Sequence, residues 1–275
     1  MSHYSPGGFN ILPPAVKNLL ILNGLAYLAT MVFYNTFHID LVHPLGLYFV
    51  ASPNFHLYQF ITHMFMHGNF MHIFSNMFAL WMFGSVLENT WGSLRFLIFY
   101  FTCGLGGALA HQGVTAYEYT RMIQAVNAFQ QQASLETFAT LMARYQDRIN
   151  YTAVLSFIEQ WKLAPDSPAF LAQSRELAMQ LPATLNRIPV VGASGAVFGV
   201  LAAFAMLYPN VYLYFYFLVP IKAKYFVLFY TLFELYAGFS GSQTGVAHFA
   251  HLGGAVVGYL LTRWWKNWDS RYPFP

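Results

Sequence analysis

The stretch Val190-Val-Gly-Ala-Ser-Gly-Ala-Val-Phe-Gly-Val-Leu-Ala-Ala-Phe-Ala-Met-Leu-Tyr208 places one small polar residue, Ser194, at the head of an otherwise apolar helix. Pro189 keeps the residue before it out of the α region and Gly192 loosens the approach, so the spacing predicts a helix that begins near Ser194 and stops before Pro209. About 15 residues at roughly 1.5 Å each give roughly 22 Å, against a hydrocarbon core of about 30 Å. Such a helix is too short to cross a membrane, so one end lies inside it, and that end is read as Ser194. Irregular backbone at that depth is tolerated only where it is buried in protein or faces water, and a hydrated cavity around Ser194 is therefore expected. A lone serine at a helix start is most often just a cap. Whether this one is a nucleophile depends on what the rest of the chain brings to it.

The chain as a whole has the composition of an integral membrane protein. Of 275 residues, 57% are hydrophobic, 19% aromatic and only 8% charged, where soluble domains carry roughly 25% charged residues. The start Met-Ser-His-Tyr-Ser-Pro-Gly-Gly lacks the basic region of a secretory signal, so the first apolar stretch is expected to be retained as a span. The one cysteine, Cys103, can form no internal disulfide. A formal charge of +3 is too small to argue for nucleic acid, and the basic residues are better used to orient the chain.

In order, residues 1 to 15 read as a polar tail and Val16 to Phe37 as the first span. His38 to Gln59, broken by Pro44, Gly46 and Pro53, suits an interfacial loop. A second span is expected from about His67 to Glu88 and a third from about Leu94 to His111, with Gly104, Gly106, Gly107 and Ala108 available for close helix packing. From about 112 to 187 the composition changes, with six basic and six acidic residues. This reads as a helical insertion in which Phe138, Leu141, Met142 and Tyr145 follow helical spacing behind a cap at Ser134, and Ser167-Pro168 opens another patch that Pro182 closes. After the serine helix come an aromatic-rich run over Val211 to Val219 and the basic loop Lys222-Ala-Lys224. A fifth span follows over about Tyr225 to Phe239, then a Gly/Ser turn over Ser240 to Gly245 and a sixth span from His248 to Trp264. The expected architecture is thus all-α and polytopic: one domain over 1–275 with six spans, interrupted by the insertion at 112–187.

Outside the insertion every Lys and Arg (Lys17, Arg95, Lys222, Lys224, Arg263, Lys266, Arg271) falls on the side of the two termini. Both termini are therefore expected in the cytoplasm. Spans two, four and six then begin at the outer face, and the insertion between spans three and four lies outside as well. The expected setting is a bacterial plasma membrane, with the site opening to the extracytoplasmic side.

That parity brings three polar clusters to similar depths: His72 and Asn76, four apart on one helical face; Ser194; and His251, about one turn into its helix. Gly254 and Gly258 share the face of His251, and Gly195, Gly199 and Ala203 give the serine helix a matching small strip, so the two helices can approach closely. A hydroxyl needs a neighbouring base to act as a nucleophile at neutral pH, and an imidazole across such a contact supplies one. The Ser194 backbone N–H at a helix N-terminus, with the side chains of His72 and Asn76, can supply donors to an oxyanion.

At these residues the chain resembles the rhomboid intramembrane serine proteases, through Gly192-Ala-Ser194-Gly, Ala250-His251-Leu-Gly-Gly254-Ala-Val-Val-Gly258 and His67-x4-His72-x3-Asn76. The resemblance covers essentially the whole chain outside the insertion. It implies a six-helix rhomboid-like bundle and a Ser–His dyad without a third acid, needing no cofactor or metal, that hydrolyses peptide bonds in or beside transmembrane segments of other proteins in the bilayer. It assigns Ser194 as nucleophile, His251 as base, and His72, Asn76 and the Ser194 N–H to the oxyanion hole, with Gly192, Gly195, Phe198, Gly254 and Gly258 in support. Two positions depart from the pattern. Tyr58-Gln59 stands where many members carry Trp-Arg, and Phe198 stands where a tyrosine is usual. Phe198 can still stack on the His251 ring, but it brings no hydroxyl.

His63, His67 and His72 could form a metal site, although no Cys or acidic ligand is near them in sequence. His248 is set aside because the glycine spacing counts correctly only from His251. Glu234, inside the fifth span, is a functional candidate by default. Its plainer reading is an acid near the outer end that meets water or Tyr236. Glu88 and Arg95 read as structural, capping and anchoring. A non-catalytic rhomboid-like client binder is the main alternative, and such relatives generally lack the Ser or His. A transporter is disfavoured by the absence of paired intramembrane acids. Oligomeric state is not legible.

Overall fold

Proline at a first helical position costs little, because its missing N–H has no intrahelical partner there. The first helix, α1, runs Pro14–Phe37 behind Pro13. The computed structural model describes residues 8–215, 219–240 and 247–271. Residues 1–7 of the polar tail, 216–218 of the aromatic-rich run, the Gly/Ser turn over 241–246 and the tail beyond 271 lie outside them. At the head of α1 the N–H groups of Ala15 and Val16 each donate to one oxygen of the buried Glu88 carboxylate, both at 2.8 Å. An anion there meets unpaired donors and the positive end of the helix dipole. Glu88 is thus a structural cap, as expected, and the Arg95 guanidinium lies 4.4 Å from the centre of the Trp265 ring.

The second helix, α2, spans Phe70–Trp91. Asn69 caps it by accepting from the His72 N–H, and it loosens into a π-helical turn over Leu80–Gly84. After Gly92, whose φ is +79°, α3 runs unbroken from Ser93 to Gln131. The third span was expected to end near His111, and the helix that carries it continues to Gln131. Between 112 and 131 there is no proline and a single glycine, Gly113, and one glycine costs only about 1 kcal/mol in a helix. The 39 residues of α3 extend about 58 Å, roughly twice the hydrocarbon thickness, so much of this helix lies beyond a membrane.

The chain packs as two compact units. The first comprises Met1–Leu47, His56–His111 and Val190–Pro275. At its centre is α7, Ser194–Leu207, with every residue from Gly195 to Phe204 buried, the fate of a helix that is apolar all round. Val16 and Leu19 of α1, Leu80, Phe83 and Leu87 of α2, and Phe96, Phe99, Tyr100 and Cys103 of α3 belong to the same core. Leu22, Leu25, Leu28 and Met31 of α1 point outward and are exposed, an arrangement suited to a hydrocarbon solvent. Beyond α7 a hairpin pairs β1, Tyr212–Phe215, with β2, Val219–Lys222, in antiparallel register. The all-α expectation is corrected by these two short strands among the described residues. Tyr212 and Tyr214 are exposed and Leu213 between them is half-buried, the period of a strand, written in residues that favour it. The last two helices of this unit are α8, Ala223–Ser240, and α9, His248–Arg271.

Among the described residues, α1, α2 and α3 are long and apolar enough to cross a membrane, while α7 is apolar but only 14 residues long. The contact between α7 and α9 is backbone against backbone. A Cβ on Gly254 would fall on the Gly195 carbonyl oxygen, and one on Gly258 would sit 2.6 Å from Gly199 Cα.

The second unit comprises Tyr48–Phe55 and Gln112–Pro189. Its core joins Met122, Val126 and Phe129 of α3 to residues of three shorter helices: Phe138, Leu141 and Met142 of α4 (Leu135–Arg144), Ile158 and Trp161 of α5 (Tyr151–Leu163), and Ala178 of α6 (Pro168–Gln180). Ser134 caps α4 in a reciprocal box with Thr137. Helix α5 has weaker punctuation, a capping Asn150 followed by Tyr-Thr-Ala-Val, and periodicity did not single it out. The unit also takes residues from the first loop. Gln112 Nε2 donates to the Tyr48 carbonyl at 2.8 Å and its Oε1 accepts from the Val50 N–H at 3.1 Å.

Phe138 is fully buried, with the rings of Phe129, Phe157 and Trp161 at centroid distances of 5.8, 5.4 and 6.0 Å. Phe138→Ala is expected to destabilise this unit by about 3–5 kcal/mol. Limited proteolysis of the variant should cut faster within 132–187 than in the parent, while fragments of the first unit keep the parent's resistance. Unchanged protection of 132–187 would show that this core does not hold the unit together.

Candidate active site

The segment that delivers Ser194 is fixed before the helix begins. Val190 and Leu47 exchange backbone hydrogen bonds at 2.8 and 2.9 Å, and the Gly192 N–H donates to the His63 carbonyl at 2.8 Å. Gly192 has φ +123°, a region that side chains rarely adopt. A Cβ there would also lie 2.7 Å from His72 Nε2, so only glycine serves. His63 is held in turn by its Nδ1–H, which donates to the Gln59 carbonyl at 2.8 Å. Gln59 is fully buried, donating to the Pro44 carbonyl and accepting from the His56 N–H, both at 3.2 Å. The departure at Tyr58-Gln59 is therefore accommodated. Gln59 ties the first loop together with neutral hydrogen bonds, and Tyr58 stays exposed, its ring stacked on His56.

Ser194 Oγ lies 2.7 Å from His251 Nε2. The glycine contact between α7 and α9 makes this possible, because any larger residue at 254 would push the helices apart. Phe198, one turn after Ser194, stacks on the His251 ring with centroids 4.4 Å apart and planes 5° from parallel. His72 approaches from α2 and points Nε2 at Gly192. Its Nδ1 accepts from the Gly68 N–H at 3.4 Å, which leaves the proton on Nε2, ready to donate. Asn76 spends one amide hydrogen on the His72 carbonyl at 2.8 Å and keeps the other. An imidazole nitrogen within hydrogen-bonding reach of a hydroxyl, with side-chain donors and a helix N-terminus beside it, is the equipment of acyl transfer.

Two neighbours of this group differ from the sequence reading. Glu234, read as an acid meeting water or Tyr236, has two imidazole partners on α9. It is only 3% exposed, and its Oε2 accepts from His248 Nδ1 at 2.7 Å and from His251 Nδ1 at 2.8 Å. The dyad implied by resemblance thus has an acid on its far side, and His248, set aside on glycine spacing, shares that acid. Glu234 stood out in the sequence as an ionisable residue in an apolar span. Its partner lies on another helix and could not be read off.

The histidines do not gather as a metal reading would need. His67 is buried with its ring edge-on to His72 at 5.0 Å, and His63 Nδ1 is engaged with backbone. Among the described residues the group whose donor atoms lie within 4.8 Å of one another is Glu234, His248 and His251.

The family model described as Rhomboid domain matches residues 54–144 and 151–266. No curated protein was found that matches the chain.

His63 precedes α2, and burial pushes its pKa down to about 4. An unfolded chain takes up this proton near pH 6.5, the folded one only near pH 4, so the stability His63 contributes is complete above about pH 6.5 and is lost as pH falls towards about 4. Thermal unfolding in detergent should therefore show a Tm that falls over this window. His63→Asn, which keeps a donor for the Gln59 carbonyl and cannot titrate, should flatten that fall. A Tm profile with the parent's slope in the variant would assign the acid sensitivity elsewhere.

Proposed function

The chain belongs to the rhomboid family, integral membrane proteins that are in general intramembrane serine proteases, and we propose that it is itself active, cutting peptide bonds in or next to transmembrane segments of other membrane proteins. The 2.7 Å approach of Ser194 Oγ to His251 Nε2 carries this reading. In the first step the Ser194 hydroxyl proton moves to His251 Nε2 as Oγ bonds to the scissile carbonyl carbon. The oxyanion that forms is held by the Ser194 N–H, the His72 Nε2–H and the free amide hydrogen of Asn76. His251 then gives its proton to the departing amine as the C–N bond breaks. A water attacks the acyl-enzyme by the reverse sequence, releasing the acid and restoring Ser194. Neither cofactor nor metal is called for, and the partners are the substrate and the bilayer.

In this reading α1, α2, the first part of α3, α7, α8 and α9 are the six membrane helices of one rhomboid-like domain. Both termini are cytoplasmic, and the segment from Gln112 to Arg187 is an extracytoplasmic helical insertion. Its chain enters α7 directly through Pro189 to Ser194, so it is close in sequence to the nucleophile and suited to restricting or recruiting substrates. A bacterial plasma membrane fits this orientation.

Purified protein in liposomes is expected to cleave a model transmembrane substrate, and Ser194→Ala and His251→Ala should each abolish cleavage without unfolding it. Cleavage near the parent rate by either variant would sink the assignment and favour a client-binding role. His72→Ala and Asn76→Ala should each lower kcat by about 100- to 1,000-fold, as for other oxyanion donors, with little change in KM. A rise in KM with kcat intact would assign them to substrate binding. Gln173 is exposed and Cys103 buried, so a Gln173→Cys chain should react with an impermeant maleimide added outside intact cells. Reaction only after the cytoplasmic side is opened would invert the topology.

A further inference from the structure

We infer that Glu234 is the third member of the site, a positioning residue that fixes the tautomer and orientation of His251, and that His248 clamps its carboxylate; this rests on reading Ser194 and His251 as nucleophile and base. A neutral imidazole carries one proton. On Nδ1 it leaves the Nε2 lone pair free to take the serine proton, whereas on Nε2 it donates to the serine oxygen and offers no base. Nothing in the Ser194 contact decides between the two. Glu234 decides, because an ionised carboxylate only accepts, and with its Oε2 2.8 Å from His251 Nδ1 the proton belongs on Nδ1. The same negative charge stabilises the imidazolium formed when His251 takes the Ser194 proton, and no proton need pass to Glu234.

The geometry shows why the carboxylate stays in place. Glu234 and His248 are both almost fully buried, and an unpaired carboxylate at such a site would be costly. Two charge-assisted hydrogen bonds converge on one oxygen, from His251 at 2.8 Å and from His248 at 2.7 Å. His248 Nε2 is buried without a polar partner among the described residues, so the contact His248 makes through its ring nitrogens is this one. One turn of α9 thus carries the base and the clamp, while α8 carries the acid. Phe198 stacks on the His251 ring face, and Glu234 fixes its rotation and proton.

The experiment has one arm that does not need catalysis. Histidine-15N NMR of the parent in detergent is expected to show His251 protonated on Nδ1, with that signature lost in Glu234→Gln, whose amide can donate to Nδ1. In the second arm, Glu234→Gln should lower kcat by about 100- to 10,000-fold with KM nearly unchanged, since the corresponding acid-to-amide change in a Ser-His-Asp triad costs about 10,000-fold. Covalent labelling of Ser194 by a fluorophosphonate should slow in parallel, and Glu234→Asp should recover part of the rate. His248→Gln, which keeps a donor for the carboxylate, should lose less than His248→Ala. A Glu234→Gln chain that cleaves at the parent rate, or a parent whose His251 is protonated on Nε2, overturns the assignment. So does activity lost to a chelator, because a cation held by Glu234, His248 and His251 would take the Nδ1 lone pair. If the parent neither cleaves nor labels at Ser194, the protease reading has failed, while the tautomer of His251 still reports on Glu234. Should Glu234→Gln not fold, the parent's tautomer and the Glu234→Asp kinetics decide.

Discussion

Two glycines of α9 lie against the backbone of α7, and much of the site's geometry follows from that contact. With a Cβ at 254 colliding with the Gly195 carbonyl and one at 258 with Gly199, the helices run closer than any side chain would permit. Dispersion between backbones is the gain, in a solvent that offers no hydrophobic drive between helices. The approach sets the Ser194–His251 distance, and it is rigid because it is made of main chain. The remaining parts register against it: Phe198 on the imidazole face, the Gly192 turn beside His72, and α8 presenting Glu234.

Charge is scarce in this chain, and the buried carboxylates of Glu88 and Glu234 are handled differently. Glu88 meets the N-terminus of α1, where backbone N–H groups are unpaired by construction. That is a structural use, and it ties the start of the first helix to the end of the second. Glu234 meets two imidazoles instead. An imidazole, unlike a backbone N–H, can carry its proton on either ring nitrogen, so this carboxylate is coupled to the tautomers of its partners as a backbone cap cannot be.

The loops are organised to the same end. Backbone pairing of Leu47 with Val190 and the bond from Gly192 to His63 hold the entry to α7 against the first loop. Gln59 and His63 hold that loop in turn. Precision at Ser194 is thus supplied by short helical turns and a single β-bridge, stiffened by the hydrogen bonds of buried Gln59 and His63. The second unit has an apolar core of its own, in which aromatic rings and Met122 and Met142 pack together.

The sequence by itself determined the membrane character, the short serine helix and the residues that gather around it. Those follow from local terms: hydrophobic run length, proline and glycine punctuation, and the small-residue strips at 195, 199, 254 and 258. It also announced the α4 cap at Ser134, because a capping box is written in adjacent residues. Where punctuation was weak it misjudged extent. It did not carry the third helix on past His111 although one glycine cannot stop a helix, and it passed over α5 and the pairing of Tyr212–Phe215 with Val219–Lys222. Only the tertiary structure decided the company of Glu234. The acid and His251 are 17 residues apart on different helices, and which face of α8 turns towards α9 depends on the packing of both against α7. The same holds for Tyr48–Phe55 joining the second unit and for Gln59 tying the first loop. Pairings of this kind are set by how whole helices rotate and approach, and no single stretch of chain encodes that.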